Sequence, residues 1–194
     1  TWLLATVAFG IGIDGYEATL ALFTASLVSG LVFFVRVRTT ALIESLRISV
    51  EQSRDRELRE IRSHSYALKR FGAVLMQREQ YDESEQRYLQ ALRLDEAMVR
   101  LDDRPQTRYD MTFTLSDLGL VQARRDKWDD ANAMFSRALE IRRAAFDADP
   151  KDTRAMVGVA TLLGRLGMTA ARQDNWAAAA AHYRAELAIR EQAI

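Results

Sequence analysis

The residues that could do acid–base or metal chemistry are few and scattered. There are two His, His64 and His182, and no Cys. Without Cys there is no disulfide, no thiolate metal site and no Cys nucleophile. Neither imidazole has a second His or a carboxylate cluster beside it at metal-ligand spacing, so both read as surface or boundary histidines. The acidic residues Asp102, Asp103, Asp129, Asp130, Asp147 and Asp149 fall at expected helix ends or turns, where capping and solvation explain them. The chain has no Gly-rich phosphate loop and no Gly-x-Ser-x-Gly frame. The expectation is a non-catalytic segment with no cofactor, no metal and no small-molecule substrate.

The elements that carry these residues are helical by composition. The chain has 194 residues, with only Pro105 and Pro150 as prolines and few Gly after residue 30. Ala, Leu, Arg and Glu dominate, which favours helix throughout. With 27 basic and 27 acidic residues the formal charge is zero, against a dedicated nucleic-acid binder, which carries a basic excess. The absence of Cys fits a reducing compartment. The sequence opens at Thr1 inside an apolar run and reads as a fragment or trimmed chain.

The run ATLALFTASLVSGLVFFV opens at Ala18, closes at Val35 and holds no charge. As a helix it spans about 27 Å, close to the roughly 30 Å hydrocarbon core of a bilayer. Arg36 and Arg38 follow at once, which predicts that the side after Val35 is cytoplasmic. Before the run stands the acidic, turn-like IDGYE, residues 13–17, and before that the apolar residues 2–13. These could close a first membrane helix, making a hairpin with Asp14 and Glu17 at its tip. Ala21, Ala25 and Ser29 form a small-residue stripe that permits close helix approach in lipid. Residues 39–64 carry mixed charge and a broken apolar stripe of Leu42, Ile43, Leu46, Val50, Leu58 and Ile61. They read as a helical arm, with Arg47 and Glu51, or Arg54 and Glu57, able to pair across a turn.

From residue 65 one pattern is written three times. DKWDDANAMFSRALEIRRAAF, residues 126–146, aligns with DNWAAAAAHYRAELAIREQAI, residues 174–194, at a shift of 48. Upstream, Leu115 maps to Leu163 and Gly119 to Gly167; at a shift of 47, Gly72, Tyr81, Tyr88, Ala91 and Leu94 map to Gly119, Trp128, Phe135, Ala138 and Ile141. The matched residues are Gly, Ala, aromatic and aliphatic, so the repeat is a packing code. Each copy, about 65–104, 105–149 and 150–194, predicts two amphipathic helices. A single pair cannot bury its apolar face alone, so neighbours must stack. Gly119 with Ala131, and Gly167 with Ala179, are expected to let two backbones approach. Ser84 stands at the Ala site of the first copy. The turn aromatics Tyr81, Trp128 and Trp176 should plug the end of each pair, and Tyr88, Phe135 and Tyr183 should fill the space between pairs.

The spacing Leu-x3-Gly-x8-aromatic-x2-Ala-x3-aromatic-x2-Ala in LSDLGLVQARRDKWDDANAMFSRA, residues 115–138, resembles the tetratricopeptide repeat. The third copy departs from it with Glu186 in place of Ala. The family period is about 34 residues, against 47 to 48 here. The usual closing Pro is absent at Glu96, Arg143 and Glu191, so the second helices are expected to run two or three turns long. The breaks are expected at LDDRPQTR, residues 101–108, and at Asp149-Pro150. Long repeats after a membrane helix and a charged arm also resemble the C-terminal region of bacterial membrane-anchored serine/threonine kinases, whose catalytic domain would lie upstream.

The resemblance implies that the first helix of each pair lines an inner surface. Its inward positions are Tyr66, Lys69, Ala73, Met76 and Gln77, then Phe113, Ser116, Leu120, Ala123 and Arg124, then Thr161, Gly164, Met168, Ala171 and Arg172. The candidate groove is therefore Tyr66, Lys69, Phe113, Ser116, Leu120, Arg124, Met168 and Arg172, apolar with a basic row of Lys69, Arg124 and Arg172. Such a groove suits an extended or helical peptide with some acidic character. Ala73, Leu120 and Met168 replace the Asn residues with which some relatives hold a C-terminal carboxylate, so that mode is not expected.

The expected architecture is all-α: membrane segment or hairpin at 1–38, arm at 39–64, and a solenoid of three helix pairs at 65–194. The expected role is a membrane-anchored protein-interaction scaffold, its repeats facing the cytoplasm from the inner membrane, that binds a protein or peptide or self-associates, with no nucleic acid. The alternatives are the substrate-recruiting tail of a receptor-like kinase, and a soluble adaptor whose apolar N-terminus packs as a core or cap helix.

Overall fold

A computed structural model describes residues 15–191. These form six helices: α1 (Gly15–Gln77), α2 (Tyr81–Leu101), α3 (Pro105–Arg124), α4 (Trp128–Ala148), α5 (Thr153–Arg172) and α6 (Trp176–Glu191), with no strand among the described residues. Residues 2–13 and Asp14, expected in a hairpin, and residues 192–194 lie outside them. The described residues divide into two compact units between Arg54 and Asp55.

Helix α1 is 63 residues long and contains no Pro. It starts at Gly15, so the last three residues of IDGYE are helical rather than turned. It then continues through both the apolar run and the arm. In the first unit its apolar side chains, Leu20, Phe23, Leu31, Phe33 and Phe34 among them, are exposed all round the helix. The Thr24 hydroxyl donates to the Leu20 and Ala21 carbonyls at 3.0 Å, which satisfies it without a partner helix. Arg38 lies 5.5 Å over the Phe34 ring. In the arm, Arg47 pairs with Glu51 at 3.2 Å.

The second unit begins in the last part of α1, and each later helix packs on the next, α2 on α3 through to α5 on α6. Helices α2 to α5 are all 20 or 21 residues long. The surplus over the usual repeat is thus shared by first and second helices, not carried by the second helices alone.

Each first helix stops in the same way. Glu79, Asp126 and Asp174 sit in the left-handed region at φ 60°, 56° and 56°. The next amide reaches back to close the helix: Gln80 N–H to Leu75 O at 3.0 Å, Lys127 to Gln122 at 3.0 Å, Asn175 to Ala170 at 2.9 Å. This 6→1 bond is the Schellman stop, which satisfies carbonyls the helix end would orphan. The junctions between pairs use one expected aspartate, Asp102, and one outside the expected set, Asp152. Asp102 is buried after α2 and accepts from Arg104 Nε at 2.7 Å and Thr107 Oγ1 at 3.1 Å. Pro105 then opens α3, where a missing N–H costs nothing. Asp152 caps α5 by accepting from the Arg154 and Ala155 amides at 2.8 and 3.2 Å.

The glycines have a different job from the one their spacing suggests. A Cβ at Gly72, Gly119 or Gly167 would stand 2.9, 2.6 or 2.7 Å from a ring carbon of Tyr88, Phe135 or Tyr183. Each glycine is the seat for the aromatic of its own pair, so its room is taken by a ring and not by the partner backbone. The small residues twelve positions later do lie in the interface: Ala131 and Ala179 are buried, and Ser84 donates its hydroxyl to the Gly72 carbonyl at 2.8 Å. The turn aromatics differ among themselves. Tyr81 and Trp128 are half-buried, whereas Trp176 is exposed and plugs nothing among the described residues. Glu186 is accommodated because Gly164 faces it: a Cβ there would meet Glu186 Oε2 at 2.7 Å. Its carboxylate pairs with Arg190 at 2.7 Å.

Candidate partner-binding surface

Of the eight groove residues read from the sequence, four come together. Leu120 and Arg124 near the end of α3, and Met168 and Arg172 near the end of α5, line one depression with Ala123, Asp126 and Trp128. It measures about 390 Å³. Leu120 and Met168 are half-buried and form its floor with Ala123. Arg172 lies 5.7 Å over the Trp128 indole, an attraction between cation and π-face. Arg124 and Arg172 have no carboxylate within ion-pair distance among the described residues.

A neighbouring depression of about 460 Å³ lies between the first and second pairs and shares Arg124. Ala73, Met76 and Gln77 line it as expected of inward positions, but so does Asp117, which the sequence reading passed over. Burial pushes the Asp117 carboxyl above the usual carboxylate range, against the pull of Arg165, Lys69 and Arg142. The Tyr88 phenol beneath it is pushed up to about 12, first by burial and then by Asp117.

Two expected groove residues are turned to internal work. Lys69 is not part of an open basic row: its ammonium lies 3.2 Å from Asp95, a carboxylate almost wholly buried in α2. Asp95 also accepts from the Ser65 and Thr114 hydroxyls, both buried. One carboxylate on α2 thus ties α1 to α3. Ser116 is buried and holds the Arg165 guanidinium. Burial lowers the Arg165 pKa while Asp117 raises it.

Tyr66 and Phe113 are exposed. Phe113 belongs to a third, shallower depression of about 330 Å³ with Tyr109, Arg154 and Val157. Behind it Arg142 is buried at the alignment position of Asp95, one repeat later. Its Nε donates to Thr112 Oγ1 at 2.8 Å, and its guanidinium carbon stands 4.9 Å from the Phe113 centroid. Gly158 leaves the space, since a Cβ there would meet Arg142 Nη1 at 2.7 Å. The same position carries a buried anion in one pair and a buried cation in the next. The signal for both was a charge on an otherwise apolar stripe, Tyr88, Ala91, Leu92, Asp95 and Phe135, Ala138, Leu139, Arg142, at helical spacing.

Among the described residues no three His, Asp or Glu come together to hold a metal ion. Residues 63–144, less than half of the chain, match the family model for the tetratricopeptide repeat. No curated protein matches the chain. The match and the repeated helix pairs together support a tetratricopeptide-repeat protein, a class of typically non-catalytic modules for binding other proteins.

Proposed function

We propose that this chain is a membrane-anchored interaction module whose repeats face the cytoplasm and bind a peptide segment of a partner protein, apolar with acidic side chains. The observation that carries the reading is the depression of Leu120, Arg124, Met168 and Arg172. It joins an apolar floor to two guanidinium groups that form no ion pair among the described residues, with one carboxylate, Asp126, also on its rim. A desolvated apolar floor favours an aliphatic or aromatic anchor, and the two cations favour a carboxylate beside it. Arg124→Glu combined with Arg172→Glu weakens partner capture while helical content stays unchanged. An unchanged pull-down profile rejects the groove.

The anchor rests on the apolar part of α1, with mean hydropathy 2.0 over its best window and none of that window buried. A core helix of a soluble protein would hide this surface. Arg36 and Arg38 at its end support a cytoplasmic orientation for the repeats. Fractionation of cells expressing the chain tests it: recovery in the soluble fraction without detergent overturns the anchor. The kinase-tail alternative rests on the order of membrane segment, arm and repeats. The upstream gene sequence decides it, and absence of both a kinase Gly-rich loop and a catalytic-loop Asp ends it.

A further inference from the structure

The depression beside Phe113 holds a charge that the protein does not neutralise. Arg142 is only 7 % exposed. A buried charge is normally paired, because taking an ion out of water is costly. Asp95, at the same alignment position one repeat earlier, obeys this rule: Lys69 is its counter-ion, and Ser65 and Thr114 donate to it. Arg142 does not. Its Nε donates to Thr112 Oγ1 at 2.8 Å, but its two terminal nitrogens have no acceptor among the described residues. No carboxylate there lies within ion-pair distance of it. Burial pulls the guanidinium below its ordinary pKa, and Arg165 and Arg154 add to this against Tyr109 and a more distant Asp117. A guanidinium nevertheless stays charged.

The free end of Arg142 lies at the depression. Its Nη1 fills the room that Gly158 leaves, 2.7 Å from where a Cβ would stand, and both residues line the depression. A second guanidinium, Arg154, shares the same two rings. The Tyr109 and Phe113 centroids lie 5.4 and 4.9 Å from the Arg142 guanidinium carbon, and 4.4 and 5.6 Å from that of Arg154. The rings ease both charges without cancelling either. Arg154 has a carboxylate, Asp110, at 3.5 Å. Among the described residues no Asp or Glu lines the depression itself. Two cations and one carboxylate leave one positive charge in surplus.

The place of this surplus is informative. Phe113, Leu120 and Arg124 fall on one helical stripe of α3, and Val157, Thr161, Met168 and Arg172 on one stripe of α5. The depression at Arg142 therefore lies at the start of the α3–α5 seam, and the depression at Arg124 and Arg172 at its end. The helix rise separates them by about 10–16 Å.

We propose that Arg142, with Arg154 beside it, is a carboxylate subsite, and that the partner segment places a second acidic side chain there. The charge count selects the ligand. One surplus cation matches one carboxylate, whereas a phosphate monoester brings nearly two negative charges. The free pair of terminal nitrogens suits the two oxygens of a carboxylate. Phe113 and Val157, both exposed, give its carbon stem an apolar wall. The assignment of the carboxylate to a partner segment rests on the groove reading above; the subsite itself does not.

Benzoate is the probe, since it presents one carboxylate on an apolar ring. The full chain, with isotope-labelled arginine and in non-ionic detergent micelles, is titrated with benzoate, benzamide or phenyl phosphate. The arginine Nε–H signals are followed by NMR. The expected result is that the Arg142 and Arg154 signals shift together and saturate with millimolar benzoate, and do not move with benzamide. Arg142→Gln loses the Arg154 response. Gly158→Ala, which crowds Nη1 but keeps the charge, weakens benzoate binding while circular dichroism stays helical, so the test survives a misfolded Arg142→Gln. The chain carrying Arg124→Glu and Arg172→Glu keeps the shift, so failure of the groove and failure of the subsite are read apart. The proposal is overturned by no saturable shift with benzoate, by an equal shift with benzamide, by unchanged binding in Gly158→Ala, or by tighter binding of phenyl phosphate.

Discussion

The Phe135 ring lies on Gly119 so closely that a methyl group at that Cα would be 2.6 Å from Phe135 Cε1. Phe135 is wholly buried and has nowhere to go. Tyr183 on Gly167 has the same geometry, but 44 % of it is exposed and its ring can swing outward. The two glycines therefore separate steric cost from helix propensity. Overpacking at Gly119→Ala costs about 1–3 kcal/mol, offset by about 1 kcal/mol of improved helix propensity. Gly119→Ala should lower stability by up to about 2 kcal/mol, and Gly167→Ala should be neutral or slightly stabilising. Chemical denaturation followed by far-ultraviolet circular dichroism checks both. Equal effects at the two sites would contradict the ring-seat account.

Asp95 holds partners on two neighbouring helices, Ser65 and Lys69 on α1 and Thr114 on α3. Removing it in Asp95→Ala leaves two fully buried hydroxyls, Ser65 and Thr114, without their acceptor and Lys69 without its counter-ion. Lys69 keeps some access to water, so the loss should be about 2–4 kcal/mol, below that of a sealed pair. Replacing the whole network, with Asp95→Leu, Lys69→Met, Ser65→Ala and Thr114→Val together, should recover most of that loss. Denaturation midpoints of the single and quadruple variants measure the difference.

What the sequence made legible is what repeats locally. The glycine, aromatic and alanine offsets recur at fixed spacing because every pair must solve the same packing problem, so helix pairs, turns and junctions could be read in order. What stayed hidden depends on helices distant in the chain. Lys69 and Asp95 are separated by 26 positions, and Ser116 and Arg165 by 49. Only the packing of helices, within the first pair for Lys69 and between pairs for Ser116, reveals that these inward-reading residues are already engaged. The ring-seating role of the glycines is hidden for a related reason. Spacing places Gly119 and Ala131 in one interface, but it does not say which side chain fills the glycine. The unbroken course of α1 could have been read, since no Pro or Gly interrupts residues 31–71. A change of charge pattern near residue 64 is not a helix breaker.

The three left-handed turn residues are not equally comfortable. For a residue with a Cβ this conformation costs about 1–2 kcal/mol, and Asp tolerates it better than Glu. Glu79→Gly relieves that strain, at an entropic cost of about 0.4–1 kcal/mol in the unfolded chain. It should stabilise the fold by up to about 1 kcal/mol, with a smaller gain for Asp126→Gly. Glu79→Val, which puts a β-branched side chain at positive φ, should destabilise. Thermal melting of the three variants gives the order, and a destabilised Glu79→Gly would contradict the turn geometry.

Asp117 sets a pH dependence of defined sign. Burial raises its pKa in the folded chain above the usual aspartate value of about 3.9. The folded state therefore holds the proton more tightly than the unfolded state. Stability contributed by protonated Asp117 is fully present below the unfolded pKa and is lost as pH rises through the raised folded value. At neutral pH the ionised carboxylate is consequently a net burden, even with Arg165 and Lys69 nearby. Asp117→Asn, which keeps the shape and removes the charge, should be more stable than the native chain at pH 7. The gap should close as pH falls to about 4. Denaturation midpoints between pH 4 and pH 8 measure it. An Asp117→Asn chain less stable than the native one at pH 7 would show that the surrounding cations outweigh burial, reversing the sign.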